Sequence, residues 1–214
     1  MVASVANEGK VRRHALPDRL FHWVQAICML VLLGTSLLPV LGVQFAWVAP
    51  HWIAGLVLTA AVILHIIRAT FWQRLGTIWI GFRDLRDVRD VTAAVFDSSK
   101  QEPKPGKYTF AQKGFHNLIS VVLLVAIVTG IVLMFGVDTP FWETDPYVVS
   151  EANRGLLFVL HGATALLSVT LIMLHIYFAI RPEKLFYTRS MILGWITRGE
   201  YQAHHDASRW SDAE

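Results

Sequence analysis

Four runs of this chain are each long and apolar enough to cross a bilayer, at about 21–42, 50–72, 115–136 and 155–180. Each reaches about 20 residues or more, the length an α-helix needs to span roughly 30 Å of hydrocarbon. A backbone in lipid must satisfy its own N–H and C=O groups, so helices are the available solution for runs of this length. The expected fold is all-α: an integral membrane four-helix bundle, with the whole chain, 1–214, forming a single membrane domain. Composition agrees, since 54% of the residues are hydrophobic and the mean hydropathy is +0.46, too apolar for a soluble domain. The first run does not read as a cleavable signal, because it is too long and no small-residue cleavage site follows it. Cys28 is the single cysteine. That excludes a disulfide framework, a cysteine-rich zinc or iron–sulfur site, and a c-type haem attachment.

The cations give the orientation. Eighteen of the 19 Lys and Arg residues fall in the N-terminal tail, around the connection between the second and third runs, or in the C-terminal tail; only Arg154 lies on the other side. The positive-inside rule therefore puts both termini and the middle connection in the cytoplasm. A calculated pI near 9.2 thus reflects membrane topology and not a nucleic-acid partner. The middle loop, 73–113, carries WQRLGTIWIGFRDLRDVRDVTAAVF, expected to lie along the inner surface as an amphipathic helix. Its alternating charges read as a solvated face. QEPKPGK then breaks the helix, and the tail from 181 to 214 is expected to cap the inner surface.

Of nine histidines, six sit in or at the edges of the apolar runs: His22, His51, His65, His116, His161 and His175. An ionisable ring inside hydrocarbon is costly and marks a functional site by default. His161 and His175 are fourteen residues apart, nearly four turns, so they share one helix face about 21 Å apart along the axis. Depth follows from topology. His51 and His161 share the outer level, and His22 and His175 the inner one. Two histidine pairs at two depths are what two b-type haems across a membrane require, since neutral imidazole is a strong axial ligand. His65, fourteen residues after His51, also reaches the inner level and competes with His22 as partner to His175. Spacing does not choose between them. Gly34, Gly55, Gly130 and Gly162 would let a flat macrocycle approach the helices, or serve ordinary small-residue packing. Arg19, Arg68 and Lys113 lie at the inner boundary, where they can meet haem propionates or lipid headgroups.

DRLFHW at 18–23, PHWIAG at 50–55, GKYTFAQK at 106–113 and HGATALLSVTLIMLHIY at 161–177 resemble the cytochrome b (gamma) subunit of respiratory formate dehydrogenases. That family lies within the bacterial diheme cytochrome b group that includes hydrogenase cytochrome b. The resemblance implies two haem b, with His22–His175 at the inner haem and His51–His161 at the outer. His65 is then an addition that can contact a haem edge or propionate. It also implies a quinone on the cytoplasmic side next to the inner haem, with Gln112 at a quinone-site position. Thr109 stands where the family has asparagine, and Ala111 where it has glycine. His116, one turn beyond Gln112, can relay a proton or cap the helix start.

The implied function is electron transfer between an outer-face iron–sulfur subunit, itself fed by a molybdenum or tungsten catalytic subunit, and membrane quinone in a bacterial inner membrane. A higher oligomer is possible on the same resemblance, and the opposite direction of electron flow uses the same parts. No substrate chemistry apart from that of the quinone is expected in this chain. The alternatives are a hydrogenase-type or stand-alone diheme cytochrome b, and a haem-free membrane metal transporter. The last is disfavoured because the span interiors hold no Asp or Glu.

Overall fold

The computed structural model describes residues 9–73, 77–97, 103–145 and 147–210. Four long helices carry the apolar runs: α1 (Leu16–Val40), α2 (Val48–Trp72), α4 (Phe110–Met134) and α5 (Glu151–Ile180). Between the second and third lies α3 (Phe82–Phe96). After α5 come a short 3-10 turn (Pro182–Lys184), α6 (Leu185–Leu193) and α7 (Arg198–His204). Two three-residue strands, β1 (Lys10–Arg12) and β2 (Trp195–Thr197), pair antiparallel with Val11 opposite Ile196.

Three of the long helices start four or five residues before the apolar runs do, because polar capping groups begin them. Pro17 sits in the first turn of α1, and the Asp18 carboxylate accepts the Ala15 N–H at 3.3 Å. At α4, Thr109 and Gln112 form a reciprocal box. The Thr109 N–H donates to Gln112 Oε1 at 3.0 Å, and the Gln112 N–H donates to Thr109 Oγ1 at 3.2 Å. The outer end of α1 closes at Gly42, whose φ of 88° suits glycine, with the Val43 N–H returning to the Leu38 carbonyl.

The described chain forms two compact units. One comprises Leu20–Phe71 and Leu118–Ile176, which is most of the four long helices. Its core is narrow: Cys28 and Met29 of α1, Leu58 and Val62 of α2, and Leu123 of α4. Around it the buried positions include Thr35, Thr129, Thr164 and Ser168, while the outward faces carry exposed Leu30, Leu64, Val128 and Val159. Apolar residues outward and hydroxyls inward is the arrangement of a bundle solvated by lipid.

The other unit gathers the N-terminal segment through Arg19, residues 72–117 and the chain from Tyr177. Val11, Ile196, Tyr201 and Trp210 make its core, with Phe186 against them. Gly194 ends α6 at a φ of 90°, and a Cβ there would lie 3.0 Å from the His14 carbonyl. The expected inner-surface helix is present as α3, starting at Phe82 and not at the tryptophan-rich stretch before it. Two of its three acids, Asp84 and Asp87, turn inward. Asp84 is buried and accepts from Lys113 Nζ at 2.9 and 3.0 Å, and Asp87 accepts from Arg209 at 2.6 Å. Phe82, Leu85 and Phe96 are exposed, together with Arg86 and Arg89, a face suited to the lipid headgroup boundary. The run read as a solvated face therefore has one paired acidic edge.

Arg13 is the centre of this unit. Arg13 is 2% exposed, and its guanidinium donates to the Lys107 carbonyl at 2.8 Å and to His205 Nε2 at 3.0 Å, with no carboxylate paired to it among the described residues. Tyr187, Trp210 and Tyr108 surround it at 4.5, 5.5 and 5.6 Å from the ring centroids. Burial pushes the Tyr108 and Tyr187 hydroxyls up, which keeps both rings neutral. His205 lies between Arg13 and the Gly106 carbonyl, to which Nδ1 is 2.7 Å.

Burial, with the Arg13 charge adding to it against the opposing Gly106 bond, lowers the His205 pKa from 6.5 to about 4. The folded ring is thus neutral while the unfolded ring protonates below pH 6.5. The stability it contributes is complete above pH 6.5 and is lost as pH falls through about 4. Limited proteolysis of residues 198–210 should accelerate between pH 6.5 and 4, and His205→Gln should flatten that dependence.

Candidate metal centres

The stripe on α5 runs His161, Thr164, Ser168, Leu171, His175, and its three middle members are buried. Spacings of three, four, three and four keep it on one face. α2 presents His51, Ala54, Leu58, Val62 and His65 in the same rhythm. The two α5 histidines each meet a ring from another helix. His161 faces His51 with ring centroids 6.2 Å apart and planes at 70°, and His175 faces His22 at 6.1 Å and 52°. Two imidazoles bound to one metal from opposite sides, with metal–nitrogen bonds of about 2.0–2.1 Å, hold their centroids roughly 6.3 Å apart. Both pairs have the spacing of a trans ligand pair around one iron.

Between the two levels lies the apolar cluster of Cys28, Met29, Leu58, Val62 and Leu123. Each level is therefore a separate site in a low-dielectric core. The helix backbones leave room beside the rings. A Cβ on Gly34 or Gly162 would meet nothing within 4 Å, and one on Gly55 only Leu32 at 3.9 Å. Gly130 differs: a Cβ there would press on His161 Cε1 at 3.1 Å, so glycine is what lets that ring stand against α4. The donor set, the paired spacing and the open glycine faces fit b-type haem.

At the outer level each imidazole also meets a threonine. Thr35 Oγ1 is 2.8 Å from His51 Nδ1, and Thr129 Oγ1 is 2.9 Å from His161 Nδ1. Each hydroxyl lies 2.7 Å from the carbonyl one turn back on its own helix, Val31 and Val125 respectively. With the hydroxyl proton on that carbonyl, the oxygen accepts the Nδ1–H and Nε2 keeps its lone pair for a metal. Trp47 packs edge-on to His51 at 6.2 Å. At the inner level His22 Nδ1 is buried without a hydrogen-bond partner among the described residues.

The sequence singles out seven site residues, and the structure sorts them. His22, His51, His161 and His175 form the two pairs. His65 is turned aside, its ring stacked on Phe21 at 4.1 Å and 7°, so His22 is the ring opposite His175. Thr109 and Gln112 form the α4 cap, which commits Gln112 Oε1 and leaves its amide Nε2 with no hydrogen bond among the described residues. Of the boundary cations, Lys113 is held by Asp84, and Arg19 donates to the Ile192 carbonyl. Thr35 and Thr129 were not singled out by the sequence reading. The signal for them is a hydroxyl within an apolar span, which needs a partner.

Comparison with known proteins agrees with this picture. A family model described as prokaryotic cytochrome b561 matches residues 13–194. The formate dehydrogenase cytochrome b556 subunit of Haemophilus influenzae is 23% identical over 218 residues, covering 96% of this chain and 84% of that protein. The formate dehydrogenase cytochrome b556(fdo) subunit of Escherichia coli K12 is 24% identical over 217 residues, covering 92% of this chain and 90% of that one.

Proposed function

The chain belongs to the prokaryotic cytochrome b561 family, a multi-pass membrane cytochrome b with an electron-transfer role, and from that premise we propose that it is the diheme membrane subunit of a formate dehydrogenase-like respiratory oxidoreductase. The observation that carries this reading is the two histidine pairs, at 6.2 and 6.1 Å, on opposite sides of one apolar cluster. Bound there, b-type haem supplies one-electron transfer with no open coordination position for other chemistry.

In this reading His51 and His161 hold the outer group and His22 and His175 the inner one, each through Nε2. Thr35 and Thr129 hold the outer rings in orientation, and the cluster from Cys28 to Leu123 keeps water from the path between levels. Electrons arrive at the outer level from an iron–sulfur subunit, fed in turn by a molybdenum or tungsten subunit, the partners that the resemblance to formate dehydrogenase cytochrome subunits implies. They leave at the inner level to quinone. The Gln112 amide, its oxygen held by the Thr109 cap, points its remaining donor to a quinone carbonyl. The segments rich in Lys and Arg face the cytoplasm.

The test is a pyridine haemochrome count with a reduced-minus-oxidised spectrum on detergent-purified chain. Two b haems per chain are expected. One haem overturns the two-site assignment, and none overturns haem ligation altogether.

A further inference from the structure

Resting on that assignment of the histidine pairs, we propose that Thr35 and Thr129 are positioning residues that lower the redox potential of the outer site. They are matched. Each lies buried on its own helix, each oxygen is within 2.9 Å of the Nδ1 of one outer imidazole, and each hydroxyl has a carbonyl of its own helix at 2.7 Å to take its proton. Both imidazoles of one pair are thus treated alike from two sides. His22, in the inner pair, has a buried Nδ1 without such an acceptor.

An acceptor on Nδ1–H pushes electron density toward Nε2 and makes the ring a stronger donor to the metal. A stronger donor favours the ferric over the ferrous form, so the potential falls. Two such acceptors act on the outer iron. A lower potential at the outer site favours electrons moving from it inward, the direction that a donor on the outer face and quinone reduction at the inner face require.

The experiment is a spectroelectrochemical titration of the two haem transitions in purified chain, with low-temperature EPR of the ferric forms. Four variants are compared with the unsubstituted protein: Thr129→Val, Thr35→Val, the double variant, and Thr129→Ser. Valine keeps the threonine shape and removes only the hydroxyl. With both haems retained, each valine variant should raise one transition and leave the other in place. The expected change is at least threefold in the ferric–ferrous equilibrium, roughly 28 mV at about 59 mV per tenfold for one electron. The double variant should raise the same transition further, and Thr129→Ser should restore it. The EPR signal of one haem alone should shift in step.

Equal movement of both transitions overturns the proposal, as does no movement in the double variant. Should valine at 129 expel the outer haem, Thr35→Val and Thr129→Ser still decide. An unshifted transition in the first, or a serine variant displaced from the unsubstituted protein, is fatal to it. A haem count other than two in the unsubstituted chain is a different failure, that of the ligand assignment itself.

Discussion

With the two b haems per chain proposed for the unsubstituted protein, His22→Ala is expected to leave one, while His65→Ala leaves both. The two histidines lie close in depth, and spacing alone makes either a partner for His175. The difference lies in what each ring faces. His22 stands 6.1 Å from the His175 ring, the separation that one iron between two imidazoles sets. His65 instead lies flat on Phe21, 4.1 Å away, and that stack contributes roughly 0.5–1.5 kcal/mol to packing. Removing His22 takes away one of the two rings proposed to hold the inner haem, and His65, stacked on Phe21, does not face His175 in its place. Removing His65 takes away a stack and leaves a small cavity, a cost to stability without a change in haem count. Haemochrome counts on the two purified variants check this. Loss of a haem in His65→Ala with retention in His22→Ala would move the inner ligand onto α2.

The parts of the site that were legible in the sequence are those governed by local periodicity. Fourteen residues between His161 and His175, and again between His51 and His65, fix faces and depths because the α-helix repeat is rigid. Topology then ordered the levels, since alternate spans run in opposite directions. Helix starts were less legible, because hydropathy registers lipid-facing residues and is blind to polar first turns. Thr-x-x-Gln at 109–112 is a capping signature, yet the same residues were read through their resemblance to a quinone motif. In the structure these residues form the cap, with the Gln112 oxygen on the Thr109 N–H, and the proposed quinone contact would use the remaining amide nitrogen. The threonine contacts to His51 and His161 join residues 16 and 32 apart in sequence. No repeat pattern on one helix reveals them.

The unit built from residues 9–19, 72–117 and 177–210 was the least legible part. Its sheet is two three-residue strands brought together from opposite ends of the chain, Lys10–Arg12 and Trp195–Thr197. Strands this short carry no usable alternation. Only pairing between the termini makes them strands, and that depends on four helices returning the chain to its starting side. The acids of α3 look solvated in sequence because their partners, Lys113 and Arg209, lie 29 and 122 residues away. Charge patterns within one helix cannot report such distant pairs.

The same distance between partners makes Arg13 the most consequential residue of that unit. Arg13→Met is expected to loosen residues 9–15, 103–108 and 198–210 together while leaving the haem spectrum intact. One guanidinium ties three segments: it carries the N-terminal strand's end, donates to the Lys107 carbonyl, and donates to His205, whose other nitrogen reaches the Gly106 carbonyl. Methionine keeps much of the volume among Tyr108, Tyr187 and Trp210 but offers no donors. The Lys107 carbonyl and His205 Nε2 then lose their partner at a buried site, at roughly 1–3 kcal/mol for each unsatisfied group, and the cation–π contacts go as well. Lysine does not rescue it, because an ammonium cannot reproduce the forked geometry that serves two acceptors in different directions. All four histidine ligands of the proposed sites belong to the other unit, so the Soret band should survive the substitution. Limited proteolysis read against haem absorbance separates the outcomes. Cleavage in the three segments at unchanged absorbance is the expected result, and parallel loss of haem would show that the bundle depends on Arg13 as well.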